Sequence, residues 1–525
     1  MNGEWEFGSG DARRFDRRVV VPFAPQSRLS GLGAWEETDV VWYRRRFDAP
    51  ASDRLLLHFG AVDYRATVWV NGEEVARHEG GHTPFSADIA RVVREHDNEV
   101  VVRAEDPVDD LSLPRGKQRT DLMREPIFYA ATTGIWQTVW LEPLPARCLE
   151  SLRIRPDFDA CAVDFEIGGE GRRQVVATFG DRELGRWEGD GNAGRIDLGE
   201  MHAWSPEHPN LYGLDVHSES DHVSSYFALR KVEAKDGRFW LNGEPYIQRL
   251  VLDQGYFPGG LLTAATDGDL RRDIELAKSM GFNGARKHQK IEDPRWLYWA
   301  DTLGYLVWAE MPSFHQPSPE AEARLEAEWR QRVLRDRDHP SVVAWVPVNE
   351  TMGLKRLEPA ALAEFLTRLY RLTHELDGTR LVMSNDGWQH TVSDLCTLHD
   401  YSPAGVLARR YSDLEPALEA GAREKPPYLP GYEYRGEPVV LSEFGGVALA
   451  SSGAFGYTQA ADRDQLLKMY TDMVAALMQP GPVQGFCYTQ LTDIEVEQNG
   501  LLTFDRSPKV DPALLRPVTE TPKRS

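Results

Sequence analysis

The feature that most constrains this chain is a change of texture near residue 232. Upstream, apolar and polar residues alternate in short runs cut by turns; downstream, short apolar runs alternate with amphipathic stretches of helical period. In the first part LLLHFG (55–60), ATVWVNGEEVARH (66–78) and EVVVRAED (99–106) read as half-buried strands. Asn71-Gly72 marks a hairpin, because both residues tolerate the positive φ of a type I′ turn. Residues 1–145 are therefore expected to form an all-β sandwich. IRPDF, QVVATFG, GRIDLG, LYGLDV and SSYFALRKV, the last running one residue past 146–231, supply strands for a smaller immunoglobulin-like sandwich.

From 232 to 525 eight strand candidates appear: YIQRL (246–250), NGARK (283–287), YLVWAE (305–310), VVAWVPVNE (342–350), LVMSN (381–385), LCTLH (395–399), VVLSEF (439–444) and GFCYTQ (485–490). Helical patterns separate them, at Asp269 to Met280, Pro294 to Thr302, Glu320 to Arg337, Pro359 to Leu376 and Asp462 to Met478. Strands alternating with helices predict parallel pairing, and eight of them suit a closed (β/α)8 TIM barrel. No Gly-x-Gly-x-x-Gly follows any strand, which removes the usual support for a dinucleotide fold.

Charge narrows the partners. The 525 residues carry 60 Lys plus Arg against 82 Asp plus Glu, a formal charge of −22 that repels nucleic acid and anionic lipid. The longest apolar run, Val342 to Val348, is far short of the roughly 18 residues that a membrane span needs. The N-terminus has no basic and apolar leader pattern, so a cytoplasmic location is expected. Cys148, Cys161, Cys396 and Cys487 lie far apart without metal-ligand spacing and read as buried free thiols.

In a barrel of this kind, reacting groups stand at the C-terminal ends of the strands. Glu350 closes the fourth strand candidate and Glu443 the seventh, which places two carboxyl groups opposite each other across the mouth. Such a pair is the equipment for cleaving a glycosidic bond.

Asn349-Glu350 after strand four, with a second Glu after strand seven, resembles the glycosidase barrel clan. NGEWEF (2–7), DVVWYRRRF (39–47), ATVWVNGEEVARHEGGHTPFSADI (66–89), TTGIWQTVWLEPL (132–144), WSPEHPNLY (204–212) and FALRKVEAKDGRFWLNGEPY (227–246) resemble glycoside hydrolase family 2. That resemblance implies a sugar-binding-type jelly roll over 1–145, an immunoglobulin-like sandwich over 146–231 and a catalytic barrel over 232–525. It implies retaining hydrolysis, with Glu443 as nucleophile and Glu350 as acid/base, the pKa of Glu350 rising beside its anionic neighbour. Asn349 is expected on the sugar 2-hydroxyl and Arg286 on the nucleophile. Tyr401 is expected to steady Glu443, with His399 or Asp400 as the alternative. Tyr488 and Trp388 are candidate aromatic platforms, and Asp106 is expected to reach the pocket from the first sandwich. The resemblance implies an oligosaccharide or glycoconjugate substrate, no cofactor and no metal, and admits a homo-oligomer.

Departures from the family pattern bear on the sugar. After strand eight, EVEQNGLLTF (495–504) supplies Asn499 but no Lys two positions later, where family β-glucuronidases read the uronate. Asp493, Glu495 and Glu497 would also repel a uronate if they face the site. Strand one ends QRLVLDQGY, so Asp253 and Gln254 are expected to take over hydroxyl contacts. The resulting expectation is an exo-β-glycosidase of β-galactosidase type. The alternatives are β-mannosidase or β-glucuronidase specificity, or a non-catalytic carbohydrate-binding protein.

Overall fold

The computed structural model describes residues 1–35, 37–419, 425–450 and 453–524. Six antiparallel strands, Gly3–Ser9, Arg17–Val21, Val40–Phe47, Arg65–Val70, Glu73–Glu79 and Asn98–Glu105, form one sheet of the first sandwich. The opposing sheet is Arg54–Phe59, Phe85–Asp88 and Val139–Leu144. Alternate residues of both sheets, among them Trp5, Val41, Leu57, Val68 and Val102, meet in a dry core. Asn71 and Gly72 have φ of 52° and 88°, as the hairpin reading requires. Seven further strands between Ser151 and Phe227 build the second sandwich around Phe165, Val175 and Leu214.

The barrel strands are Gln248–Asp253, Gly284–Lys287, Leu306–Glu310, Val342–Val346, Leu381–Val382, Cys396–His399, Val439–Gly445 and Val483–Thr489. They pair in parallel in that order, with strand eight returning to strand one. The seam between strands five and six is closed by Asp394 N–H donating to Val382 O at 2.9 Å.

One expectation needs correction. Pro347 has no N–H to continue the ladder, so strand four stops at Val346 and Glu350 stands beyond it on a turn, with φ of 53°. No helix follows strand five; the chain crosses to strand six as a loop that folds into the mouth. Short helices after strands six and eight, Ala404–Arg410, Leu414–Glu419 and Pro512–Thr519, carried too little periodic signal to be predicted.

Side-chain parity divides the barrel. Val251, Val307, Ala309 and Trp345 face the helices, while Leu250, Leu252, Trp308, Val346 and Cys487 fill the interior. At the base, Trp204 of the second sandwich and Phe239 and Leu241 of a hairpin join that interior cluster. Trp204 Nε1 donates to Asp301 O at 2.8 Å, and Arg230 donates to Val342 O at 2.6 Å, at the start of strand four. At the mouth, Arg115 and Gly116 of the first sandwich donate backbone N–H groups to Ser313 O at 3.1 and 3.0 Å.

Among the described residues no helix is long and apolar enough to cross a membrane. All four cysteines are free thiols; Cys161, contrary to expectation, is only half-buried.

Candidate active site

Strand two ends in an Arg-Lys pair whose parity sends Arg286 inward and Lys287 outward. Arg286 is fully buried, and its guanidinium donates to four groups from different strand ends. Nε meets Glu310 at 2.7 Å, Nη1 meets Asp386 at 2.8 Å and Glu443 at 2.9 Å, and Nη2 meets the Asn349 side-chain oxygen at 2.7 Å. Burial disfavours the charge, but the carboxylates of Asp386, Glu310 and Glu443 outweigh it and raise the pKa of Arg286 well above the ordinary value. Glu443 is held from the other side by the Tyr401 hydroxyl, which donates to Oε2. Tyr457 fixes that phenol by stacking on it at 3.5 Å between ring centroids.

Glu350 is the most accessible of the acids, with 28% of its side chain exposed. Its left-handed backbone is secured by its own N–H donating to Asp386 O at 2.9 Å. His399, at the end of strand six, lies between the carboxylates. Nδ1 is 2.7 Å from Glu350 and 3.4 Å from Glu443, and Nε2 is 3.2 Å from Asp386. Gly387 makes room for this ring, since a Cβ there would come within 2.8 Å of it. Burial lowers the His399 pKa, but the Glu443 charge and the hydrogen bonds to Asp386 and Glu350 dominate and raise it to about 10. For Glu350, burial raises the pKa, and the His399 hydrogen bond and charge, with Lys117 and Lys425, overturn that and bring it down to about 2.

That reverses the expected direction for Glu350. The sequence reading weighed Glu443 alone as its neighbour and gave no weight to an imidazolium at 2.7 Å. These opposite shifts favour the transferable proton on His399, one short hydrogen bond from Glu350. The pair is best regarded as a single acid holding one proton.

Ligand oxygens of Glu350 and Glu443 and a ring nitrogen of His399 all lie within 4.8 Å of one another. That proximity is compatible with the retaining class, whose carboxyl groups stand ~5–5.5 Å apart. The three groups also form a set of metal-type donors, but the Arg286 guanidinium already occupies the cation position beside them.

Glu350, Glu443, Asn349, Arg286, Tyr401 and His399 are thus brought together. Trp388 joins them indirectly: its ring meets His399 edge-on at 5.4 Å, and the Lys425 ammonium covers it at 3.6 Å. Three other candidates stand elsewhere. Tyr488 points to the helices, packing on Phe444 and Tyr470 at centroid distances of 5.4 and 5.1 Å, and its neighbour Thr489 turns inward to lie 3.3 Å from the Tyr401 hydroxyl. Asp253 has outward parity and binds Lys287 at 2.8 Å. Asp106 is fully buried within the first sandwich, held by Arg115 at 2.6 Å and Thr133 at 2.8 Å. Gln254, beside Asp253, donates instead to the Tyr129 hydroxyl and to Gln490, both at 2.7 Å.

Asp386, Glu310 and Tyr457 had no assigned sugar-site role in the sequence reading. Glu310 was visible as the polar end of an apolar strand; Asp386 lies in a loop without periodicity, and Tyr457 lies in a segment without a long pattern.

Opposed carboxyl groups at a barrel mouth, at attacking distance and shielded by a cationic hub, define a glycoside hydrolase. The profile described as "Glycosyl hydrolases family 2, TIM barrel domain" matches residues 232–521, and "Glycosyl hydrolase 2 galactose-binding domain-like" matches 24–125. The chain belongs to glycoside hydrolase family 2, a retaining family. It is 25% identical over 546 residues to a β-glucuronidase of Paenibacillus borealis, covering 91% of this chain and 87% of that one. It is 26% identical over 476 residues to the β-glucuronidase of Canis lupus familiaris, covering 78% and 69%. A solved β-D-glucuronidase from Dictyoglomus thermophilum shares the fold, with a TM-score of 0.83 at 21% identity over 100% of this chain and 97% of that one.

Proposed function

We propose that this enzyme is an exo-acting β-glycosidase of β-glucuronidase type, working by double displacement at Glu443 and Glu350. The observation that carries the chemistry is the carboxylate pair within 4.8 Å, bridged by His399. The relatives named as β-glucuronidases support the sugar, in place of the β-galactoside expected from motif departures alone. The acidic run after strand eight does not oppose this reading. Asp493 is paired with Lys509 at 2.6 Å, Glu495 accepts from Ala130 N–H at 2.6 Å, and Glu497 accepts from Tyr129 and Asn499.

Arg286 and Tyr401 grip the two oxygens of Glu443 and aim it. A Glu443 oxygen bonds to the anomeric carbon as the exocyclic C–O bond breaks, and Glu350, supplied from His399, protonates the departing oxygen. With Glu443 esterified, the site has lost one negative charge, and Glu350 takes the proton of the attacking water as the ester C–O bond breaks. Asn349, its oxygen committed to Arg286, directs its amide N–H groups to the sugar 2-hydroxyl. Glu310, Asp386 and the two catalytic carboxyl groups surround the two cations Arg286 and His399, an excess of negative charge suited to an oxocarbenium-like transition state.

A neutral β-galactoside is the second reading. It is favoured by one observation: Asn499 spends both ends of its amide, on Gln490 at 2.8 Å and Glu497 at 3.1 Å, and position 501 is a buried leucine. A panel of 4-nitrophenyl β-glycosides decides between them. Highest kcat/KM on the glucuronide is expected; highest kcat/KM on the galactoside or mannoside rejects the glucuronide reading, and no turnover of any member rejects the enzyme assignment.

A further inference from the structure

A groove of about 430 Å³ opens beside Glu350, and Glu443 does not line it. In a retaining enzyme the acid/base stands on the side of the departing group, so a groove bordered by the acid and not by the nucleophile receives the leaving group. One wall comes from the barrel, with His315, Met352, Lys355 and Arg356; the other is the first sandwich, with Phe128. Its charge runs against the rest of the molecule. In a chain of net charge −22, the groove presents Lys355 and Arg356, and among the described residues its only carboxylates are Glu125 and Glu350 itself.

Lys117, next to the lining residue Phe128 and not itself part of the lining, adds a third cation nearby. The residue is 9% exposed, and among the described residues its ammonium has no hydrogen-bond or carboxylate partner; it lies 5.8 Å over the Phe128 ring. Its charge is felt at both Glu350 and His315, which line the groove. The segment that carries it is fixed: a Cβ on Gly116 would come within 2.3 Å of Gln289 O, and His315 Nε2 lies 2.8 Å from Gly116 O. With its stem packed against Phe128 and, among the described residues, no carboxylate at ion-pair distance, an ammonium held by a rigid segment is free to meet an anion.

We propose that this groove is a leaving-group subsite selective for rings bearing a carboxylate or sulfate, with Lys117 as the residue that meets the anion. The proposal rests on Glu350 being the acid/base and not on which sugar occupies the glycone pocket. Phe128 and Met352 supply the apolar faces for the ring, and Lys355 and Arg356 screen the anion at the outer end.

The test uses the intact protein and three aryl β-glycosides of the glycone that the panel selects, differing in a carboxylate, a sulfate or a neutral carboxamide on the aryl ring. Wild-type kcat/KM is expected to favour the anionic arms by about tenfold, less at high salt. Lys117→Met is expected to bring that ratio to about one, and Lys117→Arg to retain most of it. The carboxylate and sulfate arms separate the two anions. A wild-type ratio near one overturns the proposal, as does a Lys117→Met protein that loses activity on all arms by the same factor. Calorimetric binding of the carboxylate glycoside to Glu443→Ala protein, with and without Lys117→Met, gives the same decision without turnover. A galactoside outcome in the panel would reject the glucuronide reading and leave this ratio to be read independently.

Discussion

At the base of the barrel the second sandwich meets the strands with Trp204, packed among Leu250, Trp308 and Val346. At the mouth the first sandwich meets them with polar groups: the backbone of Arg115 and Gly116 on Ser313, Tyr129 on Glu497, and Ala130 on Glu495. The base contact is a continuation of the core and serves stability. The mouth contact is a set of directional bonds that fixes where side chains stand relative to Glu350. The same architecture, a sandwich against a barrel, thus does two different jobs according to which end of the strands it covers.

The sharpest way to break this comparison lies inside the mouth. Glu443→Ala and Glu350→Ala are each expected to lower turnover by roughly 10³–10⁵-fold while leaving the folded state intact, measured by aryl glycoside kinetics beside thermal unfolding. Azide is expected to restore activity in both, with opposite anomers as products by NMR. Trp204→Ala removes a fully buried indole at the base, and the expected loss is about 3–5 kcal/mol in denaturant unfolding with kcat per folded molecule unchanged. A fall in kcat there would show that the base also shapes the site.

His399→Asn sharpens the account of the proton. A loss of about 10²-fold in kcat is expected, together with a change in the pH profile. In the wild type the Glu443 charge and the hydrogen bonds to Asp386 and Glu350 raise His399 to about 10, so the alkaline limb is expected to lie high. Without the imidazolium, burial of Glu350 is opposed only by more distant charges, and the alkaline limb is expected to move down toward neutral pH.

The smallest effect concerns the seam of the first sandwich with the barrel helices. Glu328, on Pro319–Asp336, accepts from His82 N–H at 3.2 Å, and burial pushes its carboxyl up to about 8. The folded state therefore keeps a proton that the unfolded chain releases above its ordinary value of 4.5, so stability falls as pH rises through the interval between them. Glu328→Gln is expected to remove that slope, gaining ~2 kcal/mol over wild type between pH 6 and pH 7.5 in paired unfolding curves.

All eight barrel strands were legible as short apolar runs among helical patterns, and Glu350 and Glu443 stood out as lone acids closing two of those runs. Parity was not. Parallel strands buried on both faces carry no alternation, so nothing in QRLVLD or GFCYTQ tells which residue turns inward, and Asp253 and Tyr488 were assigned to the wrong side. The strand-five crossover was legible only at Trp388: Asn385, Asp386 and His390 are also buried at the mouth, and a loop without periodicity does not announce that. The pKa of Glu350 was misread because it is set by His399, distant in sequence and close in space. Lys117 offered no signal at all, since a lysine in a glycine-containing loop is ordinarily a solvated one.

The segment through Gly116 separates the inheritance of reactivity from that of preference. Bond cleavage is encoded after residue 232, whereas the inner wall contacting the departing half is encoded more than a hundred residues earlier, in a module that contributes no reacting atom. Such a division lets the recognition of leaving groups drift, or be redesigned, while the acid and nucleophile remain untouched.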